Sequence, residues 1–208
     1  MTTALTTPDS SLQAPRAGTD LLRIVRINEE IKQVVAVSFK INIMALNAIF
    51  LAKRAGTTAL GFGVLSNELR AFSQDLRTCM ETLSGLIHEG VDEVSLMLQD
   101  LRFNRLLREA AELAPQSRAS AVLDNRDTAF GRREEHLAAV RRQLRRALDD
   151  TFRMVELGGV LAKSAKIEAA YGQGFAGALA QVSGEFDGIV EEIRTSLESL
   201  RRSAFFTG

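Results

Sequence analysis

The chain has 208 residues, of which 46% are hydrophobic, 25% charged and 6% aromatic, and its 26 Lys and Arg are matched by 26 Asp and Glu. That is enough chain for one sizeable domain or two small ones, and the charge balance leaves no global field to concentrate nucleic acid or anionic lipid, so a polyanion partner is not expected. Cys79, the one cysteine, excludes an internal disulfide, and no basic region followed by an apolar core opens the sequence; a cytoplasmic location is expected. The charge-free runs Ile41 to Ala52 and Ala55 to Asn67 each fall short of the ~18 apolar residues of a membrane span, so no membrane insertion is expected.

Residues 1–19 are rich in Thr, Ser, Ala and Pro without apolar periodicity and read as a disordered tail. From Thr19-Asp20 the spacing Ile24, Ile27, Ile31, Val34, Ser38, Ile41, Ala45, Ala48, Ala52 alternates three and four, the seam of a coiled coil, and predicts a helix ending near Gly56. A second helix opens near Gly61 and carries Leu65, Leu69, Phe72, Leu76, Cys79, Leu83 and Leu86; its seam then slips to Ile87, Val91, Val94, Leu98 and Leu101 before Pro115 ends it. Residues 20–114 thus form a first hairpin with its tip near 55–60, and 115–127 read as a loop. Residues 128–204 form a second hairpin with its tip near 171–174. Its third helix carries Leu137, Val140, Leu144, Leu148, Thr151, Val155, Gly158, Ala162, Ala165 and Ala169, and its fourth Phe175, Leu179, Val182, Phe186, Ile189, Ile193, Leu197 and Leu200. The fold class is all-α, an antiparallel up-down-up-down four-helix bundle of coiled-coil hairpins. Helices two and three are the longer pair and should protrude away from the tip.

The two turns share features that read as a diverged internal repeat: Ala48-Ile49-Phe50-Leu51-Ala52 precedes the first and Ala165-Lys166-Ile167-Glu168-Ala169 the second, and Gly-Phe follows each. Gly158-Gly159 and Gly184 and Gly188 stand nearly level on adjacent helices. Because Gly177, Gly184 and Gly188 share a face, tight backbone packing is expected there.

The segment Phe39-Lys40-Ile41-Asn42-Ile43-Met44-Ala45-Leu46-Asn47-Ala48-Ile49-Phe50-Leu51-Ala52-Lys53-Arg54-Ala55-Gly56, followed by Gly61-Phe62-Gly63-Val64-Leu65-Ser66-Asn67-Glu68-Leu69-Arg70, resembles the signalling tip of bacterial methyl-accepting chemotaxis receptors. In that family the segment is the membrane-distal turn of a long antiparallel hairpin. Two hairpins pair as a four-helix bundle, and clustered tips hold a coupling adaptor and a histidine kinase. The resemblance implies a chemotaxis histidine kinase, a coupling adaptor and chemoreceptors as partners, association of copies through the tip, and a tip surface that includes Phe62 and Val64. The second turn looks like a shortened version that keeps Glu168 and Phe175. The departures are Leu51, Lys53, Thr57 and Leu60, where the family has glutamate, alanine, glutamate and arginine. Glu134-Glu135 beside Ala138-Ala139 match the loose pattern of the family's methylation sites, but paired glutamates beside alanines are common on exposed helices, and solvated surface is the favoured reading.

Without the resemblance, the tip still carries a physical signal. Phe39, Ile43, Leu46 and Phe50 recur at four, three and four residues, and at ~100° per residue they lie opposite the seam of Ile41, Ala45 and Ala48. A helix apolar on both sides either meets another chain or leaves an exposed patch. The alternative is burial by the second hairpin of the same chain. Asn42 and Asn47 interrupt the apolar run, as interface or solvated residues, and Arg54 suits a helix C-terminus or a polar contact between hairpins. His88 and His136 stand in no metal-ligand or nucleophile spacing, Cys79 reads as core, and no phosphate-cradling loop is visible, so no enzyme activity, metal or cofactor is expected. Alternatives of another class are histidine phosphotransfer through His88, opposed by Glu89, Asp92 and Glu93, and a sensor whose hairpins dimerise between chains.

Overall fold

The computed structural model describes residues 10–114 and 119–203. Four helices follow one another: α1 (Ser10–Ala55), a 3-10 turn (Gly56–Ala59), α2 (Leu60–Leu113), α3 (Ala119–Ala170), a second 3-10 turn (Gln173–Phe175) and α4 (Ala176–Arg201). The heptad seams dictate the packing. Ile24, Ile27, Ile31, Val34, Ile41, Ala45 and Ala48 of α1 are all buried, as are Leu69, Leu76, Met80 and Leu83 of α2, Leu144, Leu148, Val155 and Ala162 of α3, and Leu179, Phe186, Ile193 and Leu197 of α4. Helices α1 and α3 each pack against both α2 and α4, which puts α1 and α3 on diagonal corners and both tight turns at one end. Gly56, with φ of 65°, supplies the left-handed residue that stops α1.

Three boundaries differ from the sequence reading. Helix α1 begins at Ser10, so residues 10–19 are helical where their composition predicts a tail, and Pro15 lies within α1 near its start; residues 1–9 lie outside the described residues. Helix α3 begins at Ala119, so 119–127 are helical and the connection shrinks to 115–118, which also lies outside them. Helix α4 ends at Arg201. It stops where Thr19, Leu22 and Ile27 of α1 and Thr195, Leu200 and Ser203 flank an open groove. Helices α2 and α3, of 54 and 52 residues, are the longer pair against 46 for α1 and 26 for α4, as the sequence reading expects, and all three of α1, α2 and α3 run on past the end of α4.

The two hairpins bury matching positions. At one constant sequence spacing, Ala48 pairs with Ala165, Ala52 with Ala169, Phe62 with Leu179, Ser66 with Ser183 and Leu69 with Phe186, and every one of these is buried. The hydroxyls of Ser66 and Ser183 donate to the carbonyls of Phe62 and Leu179 at 2.7 and 2.8 Å, the same back-bond in each hairpin. At this spacing Leu179, not the half-buried Phe175, holds the buried place that Phe62 holds in the first hairpin.

Core composition changes along the bundle. At the tip, Ala48, Ala52, Ala59, Ala165 and Ala169 enclose Phe62 and Leu179. Further down, Phe72 and Phe186 meet edge to face with centroids 6.1 Å apart, and Gly158 admits the Phe72 ring. At the far end a polar ladder replaces apolar contact. Arg126 reaches Asp100 at 2.8 Å and donates to Asn104 at 2.9 Å, Arg133 reaches the other Asp100 oxygen at 3.0 Å, and Arg126 stacks on Phe103 at 4.3 Å. Asn104 is buried, so this ladder ties α2 to α3 where α4 no longer covers them.

By length and composition Leu21–Ala55 could cross a membrane: Lys40 is the one charge between Gln33 and Ala52, which a count of charge-free runs understates. In the fold, the seam of this stretch is buried among the other helices.

The glycines separate into two kinds. A Cβ at Gly158 would stand 2.6 Å from Phe72 Cζ, whereas at Gly177, Gly184 and Gly188 it would meet nothing within 4 Å. The close packing expected at those three is absent because their shared face points outward. Gly158→Val should therefore destabilise the protein by about 1–3 kcal/mol in urea unfolding, through overpacking against Phe72. Gly184→Ala should stabilise it by up to about 1 kcal/mol, the ordinary helix-propensity gain.

Candidate functional site

The tip gathers most of the residues that the sequence singles out, but on different sides. Phe39, Ile43 and Phe50 are exposed at 62%, 44% and 68%, and Leu46 is half-buried between them. They form a ridge down α1, opposite the alanine seam that buries the helix. Small seam residues cause this arrangement: with Ala45, Ala48 and Ala52 inward, the helices approach closely and leave no interior volume for larger side chains. Phe39, Ile43 and Phe50, on the far side of α1, thus have no place inside the subunit.

Around the ridge, Asn47 and Arg54 are exposed and Asn42 is half-buried. Phe39 and Asn42 line an open groove against Arg70, Gln74 and Arg77 of α2. Nearer the turn, Ile49, Ala52, Leu60, Gly63 and Val64 line a second, predominantly apolar groove of about 520 Å³, bordered by Lys53 and Asn67. Leu60 and Val64 are exposed. The surface of the first hairpin is therefore a ridge with an apolar groove beside it. Along α1 from Val34 to Ala55 its only charges are Lys40, Lys53 and Arg54, all cationic. The last two also stand in the final turn of α1, where the helix dipole favours them.

Three expected contact residues lie elsewhere. Phe62 is 1% exposed and fills the centre of the tip core. Its Gly-Phe-Gly setting looks like an exposed turn, yet α2 has already begun and Phe62 is the first seam position, seven residues before Leu69. Glu168 is half-buried with its carboxylate against Gly61, so it packs between the hairpins. Phe175 is half-buried and packs on the tip core.

One feature of the site escaped the sequence reading. Leu157, Val160, Ile167 and Tyr171 of α3 are exposed and, with Ser164, follow the three-four spacing of an apolar stripe. The interleaved Glu156, Lys163, Lys166 and Glu168 hide it in sequence. Relative to the alanine seam, Val160 and Ile167 occupy the places that Ile43 and Phe50 occupy on α1.

The remaining chemistry-bearing groups sit away from the tip. His88 is exposed with Nδ1 2.7 Å from the Ser84 carbonyl. His136 is exposed and 3.0 Å from Glu89, and Glu134 and Glu135 are exposed. Cys79 is half-buried. Burial pushes its thiol pKa up, aided by the charges of Asp75 and Asp150 and opposed by a hydrogen bond with Thr151.

No protein-family model matches the chain, and no solved structure matches it. Over 69 residues, 33% of the chain, it is 35% identical to methyl-accepting chemotaxis protein IV of Escherichia coli K12. The matched stretch covers 13% of that protein, so the chain corresponds to a small part of the curated relative. The similarity supports a chemoreceptor-like relationship.

The two tip phenylalanines separate core from surface experimentally. Phe62→Ala should cost about 3–5 kcal/mol in urea unfolding, whereas Phe50→Ala should stay within about 0.5 kcal/mol of wild type. The raised thiol pKa leaves less thiolate at pH 8, so Cys79 should react with a disulfide reagent more slowly than a free thiol, and unfolding in urea should abolish the difference.

Proposed function

We propose that the chain is a chemoreceptor-like signalling module that docks through its hairpin tip on components of a chemotaxis array: a coupling adaptor, a histidine kinase or a receptor. The observation that carries this reading is the outward ridge of Phe39, Ile43 and Phe50, held exposed beside the apolar groove of Leu60 and Val64. Large apolar groups on a rigid helix, rimmed by polar residues, are the usual chemistry of a protein contact surface. The similarity to a chemotaxis receptor supports the choice of partner class. Such partners place the working site in the cytoplasm.

In this reading the module catalyses nothing. The ridge supplies apolar area that leaves water on docking, Asn42 and Asn47 offer amide groups at its edge, and Lys53 and Arg54 give the approach a preferred orientation through their charge. All four helices at the tip come from one chain, because α1 packs against α4 of the same molecule. In this reading the docking surface is assembled within one molecule and needs no second copy.

The test is recovery of the adaptor and kinase of the same cell on immobilised protein, comparing wild type with Phe50→Glu. A carboxylate in the centre of the ridge should lower recovery at least about tenfold without changing the melting temperature. Equal recovery by both proteins would remove the ridge as the docking surface. A phosphotransfer role predicts a different result: label passing from a phosphorylated kinase to this chain and lost in His88→Ala.

A further inference from the structure

The chain is neutral as a whole, yet α3 concentrates positive charge at one level. Its run Arg141-Arg142-Gln143-Leu144-Arg145-Arg146 brings four guanidinium groups into less than two turns. Leu144 is buried in the core, so Arg142, Arg145 and Arg146 face outward and are exposed. Other arginines of α3 are neutralised within the molecule: Arg126 and Arg133 reach Asp100 at 2.8 and 3.0 Å, and Arg153 reaches Asp150 at 3.2 Å. Among the described residues, Arg142, Arg145 and Arg146 form no ion pair. Helix α4 does not shield them. It ends nearer the tip, where Arg201 lies over the ring of Phe152, two turns past Arg145. The patch is also short. Glu134 and Glu135 close it on the side away from the tip, and Asp149 and Asp150 stand one turn past Arg145 and Arg146 on the other.

From this arrangement we propose that the outward face of α3 at Arg142, Arg145 and Arg146 binds an acidic protein segment with two or three carboxylates in a turn or two of chain. Guanidinium forks take carboxylates two oxygens at a time, so three of them at one level supply direction as well as charge. The flanking acids select the length of the partner. A duplex lying along α3 carries a charge every ~1.7 Å, and its phosphates would run on over Glu134, Glu135, Asp149 and Asp150. An anionic bilayer is a plane and meets the same carboxylates. A short acidic segment ends before it reaches them. At ~1.5 Å per residue the patch stands about 36 Å from the end of α3 at Ala170, so it is separate from the tip surface, and the proposal holds whether or not anything docks there.

Fluorescence anisotropy of a rhodamine-labelled hexaglutamate peptide tests it on the full chain. Binding should saturate at low ionic strength and weaken as salt screens the charges. Arg145→Glu should weaken it at least about tenfold. Arg132→Glu makes the same charge change at an exposed arginine outside the patch, and its effect should stay within about twofold. The absence of saturable binding at low salt overturns the proposal. So does equal weakening by the two variants, which would mean that net charge alone governs the contact. Tighter binding of a DNA oligonucleotide or of phosphatidylglycerol vesicles, with the same dependence on Arg145, overturns the assignment to a protein segment. If Arg145→Glu loses helicity in circular dichroism, Arg142→Glu makes the same comparison about one turn away.

Discussion

Everything distinctive about this molecule follows from the alanine seam at its tip. Ala45, Ala48 and Ala52 on α1 and Ala162, Ala165 and Ala169 on α3 are all buried. A methyl group fills so little space that the helices must come close before any interior contact forms. The gap that remains in the tip core is filled by one large residue from each returning helix, Phe62 from α2 and Leu179 from α4. No volume is left for a further ring of leucines, so the apolar residues α1 carries on its other side stay outside. In a bundle with Leu at the same seam positions, the helices would stand further apart and flanking apolar residues could turn inward. The narrow core and the exposed ridge are two consequences of one choice of side chain.

The interior changes character as the distance from the tip grows, and the change explains which end can carry a surface. Below the alanines, Phe72 and Phe186 pack against each other and across Gly158, and then Leu, Ile, Val and Met fill a core of ordinary width. Past the end of α4, one side of the bundle loses its cover, and Asp100, Asn104, Arg126 and Arg133 join α2 to α3. A polar ladder with a buried asparagine fixes register, since a shift of one turn would leave charged groups unpaired in a partly dry setting. The far end is thus held by directional bonds, and the tip by close packing.

How much of this the sequence reveals depends on whether a residue's neighbours share its environment. Heptad spacing locates the core side of each helix, although along α2 Met80, Gly90, Met97 and Asn104 are buried where Cys79, Val91, Leu98 and Leu101 are only half-buried; the ridge of Phe39, Ile43, Leu46 and Phe50 is legible because α1 has almost no charges to obscure it. The α3 stripe obeys the same spacing but is threaded with Glu156, Lys163, Lys166 and Glu168, so no apolar run betrays it. Phe62 enters the expected tip surface through the family resemblance alone. Its distance of one heptad from Leu69, a seam position, already marks it as core. Gly184 and Gly158 look alike in sequence; only the position of Phe72 tells that one is a packing site and the other open surface. The helical start at Ser10 lay beyond reach, because Thr, Ser and Pro there argue against helix and only the rest of α1 extends it.

Covalent connection gives the final constraint. A four-helix tip assembled from two hairpins of separate chains exists only above the concentration at which those chains meet, so its docking surface and its assembly are the same event. Here α1 and α4 are tied through α2 and α3, and loop closure makes their encounter intramolecular. In the structure all four helices of the tip come from one molecule. The exposure of Phe39, Ile43 and Phe50 is then a property of a bundle already formed, set by the alanine seam beneath them.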